Sequence, residues 1–143
     1  MRSKSKVCFF FEYKQFSLKS RTELKDFIEF IFKQEKRKLA SLSYVFCSDK
    51  RLLKINQEFL HHNEYTDIIT FDLSESSATS AEIYISIDRV RDNSAILQTL
   101  FIVELHRVIF HGALHLCGYS DKTGAKKEEM RAKEDFYLSR YFS

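Results

Sequence analysis

The chain has no proline, no tryptophan and only three glycines in 143 residues. With so few breakers, its elements are expected to be compact and its connections short. Cysteine is sparse too. Cys8, Cys47 and Cys117 are odd in number and lack C-x-x-C spacing, a usage that suits a reducing compartment. There is no internal repeat, low-complexity tract or linker. Arg2, Lys4 and Lys6 make the N-terminus basic, but only Val7 to Phe11 behind them is apolar. That is too short for a secretory leader, and a cytoplasmic protein is expected. Neither sign of charge dominates: the net charge is +3 with 30% charged residues, which permits an RNA partner and does not require one. What is plentiful is aromatic, with 14 Phe and 7 Tyr. This length suits one domain, residues 1–143, around a single core.

Hydrophobic periodicity gives interspersed strands and helices. Strands are expected over Lys6–Phe11 (with Phe16 and Leu18 extending it after a turn), Ala40–Cys47, Thr66–Leu73 and Ala81–Ile87. Ala40–Cys47 and Ala81–Ile87 alternate with period two. A helix is expected from Ser20, capped in a box with Glu23, to about Arg37. A short helix capped by Ser48 or Asp49 should follow β-forming Ala40–Cys47, and a short helical or turn segment should start at Asp88. Leu97–Leu116 reads as a central helix, apolar on nearly every side and therefore buried. Its length raises the membrane question, but Glu104, His106, Arg107 and two further histidines interrupt it. A last helix spans Lys126–Tyr141, with Met130, Phe136, Tyr137, Leu138 and Phe142 for packing. The fold class is α+β (mixed α/β): a mixed sheet of about four strands, with the central helix on one face and other helices flanking it.

The central helix ends in His111-Gly-Ala-Leu-His115-Leu-Cys-Gly118-Tyr-Ser-Asp121. Histidines four apart share one helix face, one turn apart, where one cation can reach both. Gly118 stands where a helix that must stop favours a left-handed residue. Asp121 follows the turn and can fold back as a third ligand. This H-x3-H-x2-G-x2-D pattern has the ligand spacing of the long zincin motif with two changes. The third ligand is Asp, and Gly112 replaces the glutamate that serves those proteases as general base, which argues against a protease of that type. Cys117 falls roughly on the opposite face and reads as packing. Three protein ligands, His111, His115 and Asp121, leave a fourth position on Zn²⁺, and the carboxylate also suits a harder divalent transition metal. A general base must come from elsewhere, and Glu104, Asp67 and Glu82 are the candidates. Glu104 lies on the same stripe as the two histidines; it could orient one of them or pair with Arg107. Asp67, with Thr66, sits at the mouth of its strand and could serve turn chemistry or shape a cleft. Asn56 could hold a loop through its amide. The adjacent His61 and His62 read as solvent-exposed.

The segment resembles the signature of the YbeY family, H-G-x-L-H-L-x-G-[YF]-x-H, at His111, Gly112, Leu114, His115, Leu116, Gly118 and Tyr119. Upstream, Asn56, Phe59 and Thr66-Asp67-Ile68-Ile69-Thr70-Phe71 match that family's L-N-x-x-[YF]-R...T-D-[VI]-[LI]-[ST]-F. Ala81-Glu82-Ile83-Tyr84-Ile85-Ser86 matches G-[DE]-I-x-I-[SC]. The likeness runs in consistent order over roughly residues 40 to 135. It departs at three places: Asp121 for the third histidine, Leu60 for an arginine and Ala81 for a glycine.

The resemblance implies a metal-dependent endoribonuclease acting on single-stranded RNA in rRNA maturation, including the 16S 3′ end, and in ribosome quality control. Its partners would be ribosomal RNA and the small subunit, with no membrane and no small-molecule cofactor. Arg89, Arg91, Lys122 and Lys126 are the phosphate contacts nearest in sequence. The alternatives are a ribosome-associated RNA-binding factor with a structural metal, and a metal-dependent hydrolase of another substrate. A two-histidine-one-carboxylate iron oxygenase suits this α/β pattern poorly.

Overall fold

In the computed structural model, which describes residues 4–143, four strands and five helices are interspersed along the described chain. Arg2 of the basic N-terminus lies outside the described residues. The order is β1 (Val7–Phe11), α1 (Arg21–Gln34), β2 (Leu39–Cys47), α2 (Asp49–Phe59), β3 (Ile68–Asp72), β4 (Thr79–Ser86), α3 (Ile87–Leu97), α4 (Phe101–Leu116) and α5 (Gly124–Tyr141). The sheet order is β1-β2-β4-β3. β1, β2 and β4 run parallel, and β3 returns antiparallel on β4.

Period two divides the sheet's faces. Leu42, Tyr44, Phe46, Ile83 and Ile85 face the main core, which α1, α4 and α5 close with Leu24, Ile28, Phe110, Leu114 and Tyr137. The other face is smaller: Cys47, Ile69, Phe71 and Tyr84 pack under Leu52 and Ile55 of α2. The abundant phenylalanines do this filling. Phe46, for example, sits between Phe9, Phe11, Phe16 and Tyr44 at ring separations of 5.3–6.3 Å. Fully buried Tyr44 also fixes the register of α4 on the sheet, its hydroxyl donating to the Ile109 carbonyl at 2.8 Å. A buried hydroxyl needs such a partner.

Several expectations change in detail. Phe16 and Leu18 are buried but belong to a loop, not to a strand. Ser20 precedes α1 with a left-handed backbone (φ 56°) and makes no side-chain cap, because a capping hydroxyl reaches the first-turn amides from extended backbone. The central helix starts later than Leu97: Ile96 and Leu97 close the preceding helix, α3. Gln98 takes a left-handed conformation (φ 56°), ending α3, and α4 starts afresh at Phe101 after a bend of 119°. No single helix among the described residues is long and apolar enough to cross a membrane; α3 and α4 meet that measure only as a bent pair. On α5, Met130, Tyr137 and Leu138 are buried as expected, whereas Phe136 and Phe142 are exposed.

Candidate functional site

α4 carries both motif histidines along an open cleft of about 1120 Å³ between α4, α5 and the entry to β3. Gly112 lets the helix lie close on the sheet. A Cβ there would come within 2.8 Å of Ile83 Cδ1 and 3.0 Å of Ile68 Cδ1. A glutamate at this position would drive its stem into the core, so the protease arrangement does not fit this helix. The end of α4 is a Schellman turn: the Gly118 amide donates to His115 O and the Tyr119 amide to Leu114 O, both at 3.1 Å. Gly118 has φ 105°, and a Cβ on it would lie 2.8 Å from Arg37 Nη2.

The turn is latched from behind. Glu35, just past α1, accepts hydrogen bonds from the Tyr119 hydroxyl at 2.7 Å, the Tyr137 hydroxyl and Lys133 Nζ at 3.3 Å. Burial works against its charge, but these three donors outweigh it and hold the Glu35 carboxyl below the usual range. The latch ties the segment that carries Asp121 to both α1 and α5.

His111 is held by a partner the sequence reading did not name. Its Nδ1 lies 2.7 Å from Glu134 Oε2 on α5. Glu134 is 5% exposed, and its other oxygen accepts from Arg107 Nη1 at 3.0 Å. Arg107 also reaches Asp135 at 2.7 Å. This Nδ1 contact leaves His111 Nε2 turned to the cleft, 3.6 Å from Asp121 Oδ2. Burial disfavours charge on His111, but the Glu134 hydrogen bond and the charges of Glu134, Asp121 and Asp67 overcome it and raise the pKa. His115 is exposed one turn on, with no hydrogen bond or ion pair among the described residues. Cys117 is buried, its thiol pushed up to about 12 by burial, as a packing residue should be.

Among the described residues, no group of three or more His, Cys, Asp and Glu side chains is gathered closely enough to hold an ion as it stands. The donor chemistry nonetheless suits one. A carboxylate-backed imidazole offers its second nitrogen beside a half-exposed carboxylate, and His115 lines the same cleft.

Glu104 and Asp67 both line the cleft. Glu104 forms neither contact expected of it: Arg107 turns to Glu134 and Asp135, and Glu134 is the carboxylate on His111. Burial is the main cause raising the Glu104 pKa; Arg107 and Arg131 oppose it, and the charge of Asp67 adds to it. The Asp67 carboxyl is raised by burial as well, against the pull of His111. Its backbone carbonyl accepts the Ser86 amide at 2.9 Å, which fixes the start of β3. Glu82 is on the α2 face with Tyr84, pointing away from α4.

The cleft's cations also differ from those nearest in sequence. Arg107, Lys127 and Arg131 line it. Arg89 is engaged by Asp49 at 2.7 Å, Arg91 lies over Tyr13 and Phe101, and Lys122 and Lys126 are not part of the wall. Asn56 does hold a loop: its Nδ2 donates to Glu64 O at 2.9 Å, and its backbone carbonyl accepts the His62 amide at 3.1 Å. His62 is exposed and is not among the residues that line the cleft. Leu60 lines the cleft, 41% exposed.

Residues 10–142 match the family model described as Endoribonuclease YbeY. Curated relatives carry the same description. One from Cytophaga hutchinsonii is 50% identical over 93% of this chain and 94% of its own length. One from Amoebophilus asiaticus is 43% identical over 94% of this chain and 92% of its own. Among solved structures, TM1509 from Thermotoga maritima superposes with a TM-score of 0.63, covering 95% of this chain and 89% of that one at 24% identity, which speaks to the fold.

Proposed function

The chain belongs to the endoribonuclease YbeY family, and from that premise we propose that the cleft cleaves single-stranded RNA with a divalent metal ion, Zn²⁺ by preference, held by His111, His115 and Asp121. The observation that carries the reading is His111 itself. Glu134 engages its Nδ1 and leaves Nε2 facing Asp121 in an open cleft of about 1120 Å³, above the usual size of a small-ligand pocket.

The charge of the cleft supports the same reading. Seven acidic and three basic side chains line it. A phosphodiester entering alone meets net repulsion, and a divalent cation between the acids and the phosphate relieves it. Bound there, the ion would supply polarisation of a phosphoryl oxygen and a more acidic water. The chain's own residues do the rest. Glu134 keeps the imidazole of His111 in one tautomer and orientation. Lys127 and Arg131, without ion-pair partners among the described residues, offer their charge to the RNA backbone. Glu104 and Asp67, both held toward their protonated forms by burial, are placed to take a proton from the attacking oxygen or to return one to the leaving oxygen. We assign the general base to this pair. The physiological substrate we propose is ribosomal RNA, at the 16S 3′ end and in ribosome quality control, met on the small subunit in the cytoplasm.

The test is cleavage of a single-stranded RNA oligomer by the purified chain. Cutting should stop with a chelator, return with added Zn²⁺ or Mn²⁺, and be lost in Asp121→Ala and His115→Ala. Undiminished cleavage in chelator and in Asp121→Ala would remove the metal from the reading.

A further inference from the structure

Tyr65 stands on the cleft wall with its ring uncommitted to the core. It is 55% exposed, touches no other aromatic ring and makes no hydrogen bond through its hydroxyl among the described residues. What it does have is a backing. The Arg89 guanidinium carbon lies 5.0 Å over the ring centroid. That guanidinium is itself pinned, with Nη2 and Nε at 2.7 and 3.4 Å from the two Asp49 oxygens. Asp49 also accepts the Ser86 hydroxyl at 3.2 Å, and its amide donates to Asp88 at 2.9 Å. Behind the ring is therefore a fixed cation anchored to the starts of α2 and α3. Next to Tyr65 in the chain, Glu64 is fixed by Asn56, whose Nδ2 donates to its carbonyl. Leu60, also exposed, makes another apolar part of the same wall.

An aromatic ring stacked on a pinned guanidinium and open to a nucleic-acid cleft is a platform for a nucleobase. Each base has a π-face, and stacking on such a ring needs no sequence match. Tyrosine also loses little side-chain freedom when it binds, having two torsions. The geometry points to Tyr65, backed by Arg89, as the subsite that stacks an unpaired base of the RNA next to the cleaved phosphodiester. It is a positioning residue that selects single strands, since bases within a duplex have their faces already covered. The inference rests on the endoribonuclease reading and adds to it the means by which strandedness is read.

The chain has no tryptophan, so Tyr65→Trp makes a sole reporter at this position. Steady-state cleavage and binding are to be measured with a fluorescein-labelled single-stranded RNA oligomer, the same sequence as a duplex, and Tyr65→Ala, Tyr65→Phe and Tyr65→Trp beside the native chain. Tyr65→Ala should raise KM for the single strand by about tenfold and leave kcat within about twofold. Its weak duplex binding should be unchanged, so the preference for single strands falls. Tyr65→Phe should match the native chain, and Tyr65→Trp emission should be quenched as the single strand saturates it. Native KM in Tyr65→Ala, an equal loss on duplex and single strand, or tryptophan emission indifferent to RNA would each overturn the platform while RNA cleavage by the native chain stands. Failure of the native chain to bind or cut any RNA would overturn the endoribonuclease reading and the platform with it.

Discussion

Replacing Glu134 by glutamine keeps the shape of the side chain and removes its charge, and the geometry makes the consequence specific. In the native chain one oxygen accepts from Arg107 at 3.0 Å and the other meets His111 Nδ1 at 2.7 Å. A carboxamide has one oxygen and one NH₂. If the oxygen stays on Arg107, the NH₂ faces Nδ1, and the imidazole must move its proton to Nε2 to accept it. If the oxygen stays on His111, the NH₂ faces the guanidinium, donor against donor. The first arrangement is the cheaper, because Arg107 is a permanent cation. It also removes the lone pair that His111 offers to the cleft. A buried hydrogen bond to a charged group contributes about 1.5–3 kcal/mol. Arg107 retains Asp135 at 2.7 Å, so the net loss of stability should be about 2 kcal/mol, or roughly 5–10 °C in Tm for a chain of this size. Metal affinity should fall by about 10- to 100-fold, the usual effect of removing a carboxylate behind a ligating histidine. Thermal melting and isothermal titration with Zn²⁺ read the two effects separately, and RNA cleavage at saturating metal reads a third. A variant that melts early yet binds Zn²⁺ as the native chain does would refute the claim that Glu134 orients His111. It would leave Glu134 a purely structural partner of Arg107.

Gly112→Glu should lower stability by more than about 3 kcal/mol, against about 1–3 for Gly112→Ala, whose methyl asks only the tips of Ile83 and Ile68 to move; urea melts order the two. Glu35 has a lowered folded-state pKa, so its contribution is present above the ordinary carboxylate value and is lost as pH falls through the lower folded one. Acid unfolding of Glu35→Gln followed by circular dichroism should therefore show a flatter stability loss across the acid range than the native chain; parallel curves would deny the latch its charge. Asn56→Ala frees the loop that carries Tyr65 and should cost about 1–2 kcal/mol, with faster amide exchange over residues 60–66 as the measurement. Stripping divalent ions at fixed ionic strength should weaken RNA binding as well as stop cleavage, given the excess of acids in the cleft, and equal RNA affinity by fluorescence anisotropy with and without chelator would contradict that.

The fold was legible where period and punctuation agree. The alternation of Ala40–Cys47 and Ala81–Ile87 places the same residues on the core face that the sheet buries, Leu42, Tyr44, Phe46, Ile83 and Ile85 among them. Gly118 marks the end of α4 to the residue, because only the left-handed turn there lets the chain reverse. The position of the break between α3 and α4 was not legible. Gln98-Thr99-Leu100 contains no glycine or proline, and a left-handed glutamine has no sequence mark of its own. Apolar periodicity passes straight through it, since Ile96, Leu97 and Leu100 are apolar yet exposed. Ser20 misled for the complementary reason: the residue types of a capping box were present, but the backbone that would bring them together was not.

For the site, spacing along one helix could name His111 and His115, and a turn could bring Asp121 near, because those relations are local. Glu134 is 23 residues away from His111, and nothing local announces it as a partner. A signal was nevertheless there. Met130, Glu134, Tyr137 and Leu138 form one stripe of α5, and an acid in the middle of an apolar stripe requires a buried donor. Arg107 poses the same question from α4: a cation inside a buried helix requires acids, and the one on its own helix, Glu104, is not the one it takes. The two questions answer each other across the helix pair. With Arg107 satisfied by α5, Glu104 keeps a carboxyl that burial holds toward its protonated form and that opens on the cleft. The ion pair that closes α5 onto α4 thus also leaves Glu104 available for the proton transfer proposed for the cleft, and the stability of the helix pair and that proposed chemistry depend on the same two side chains.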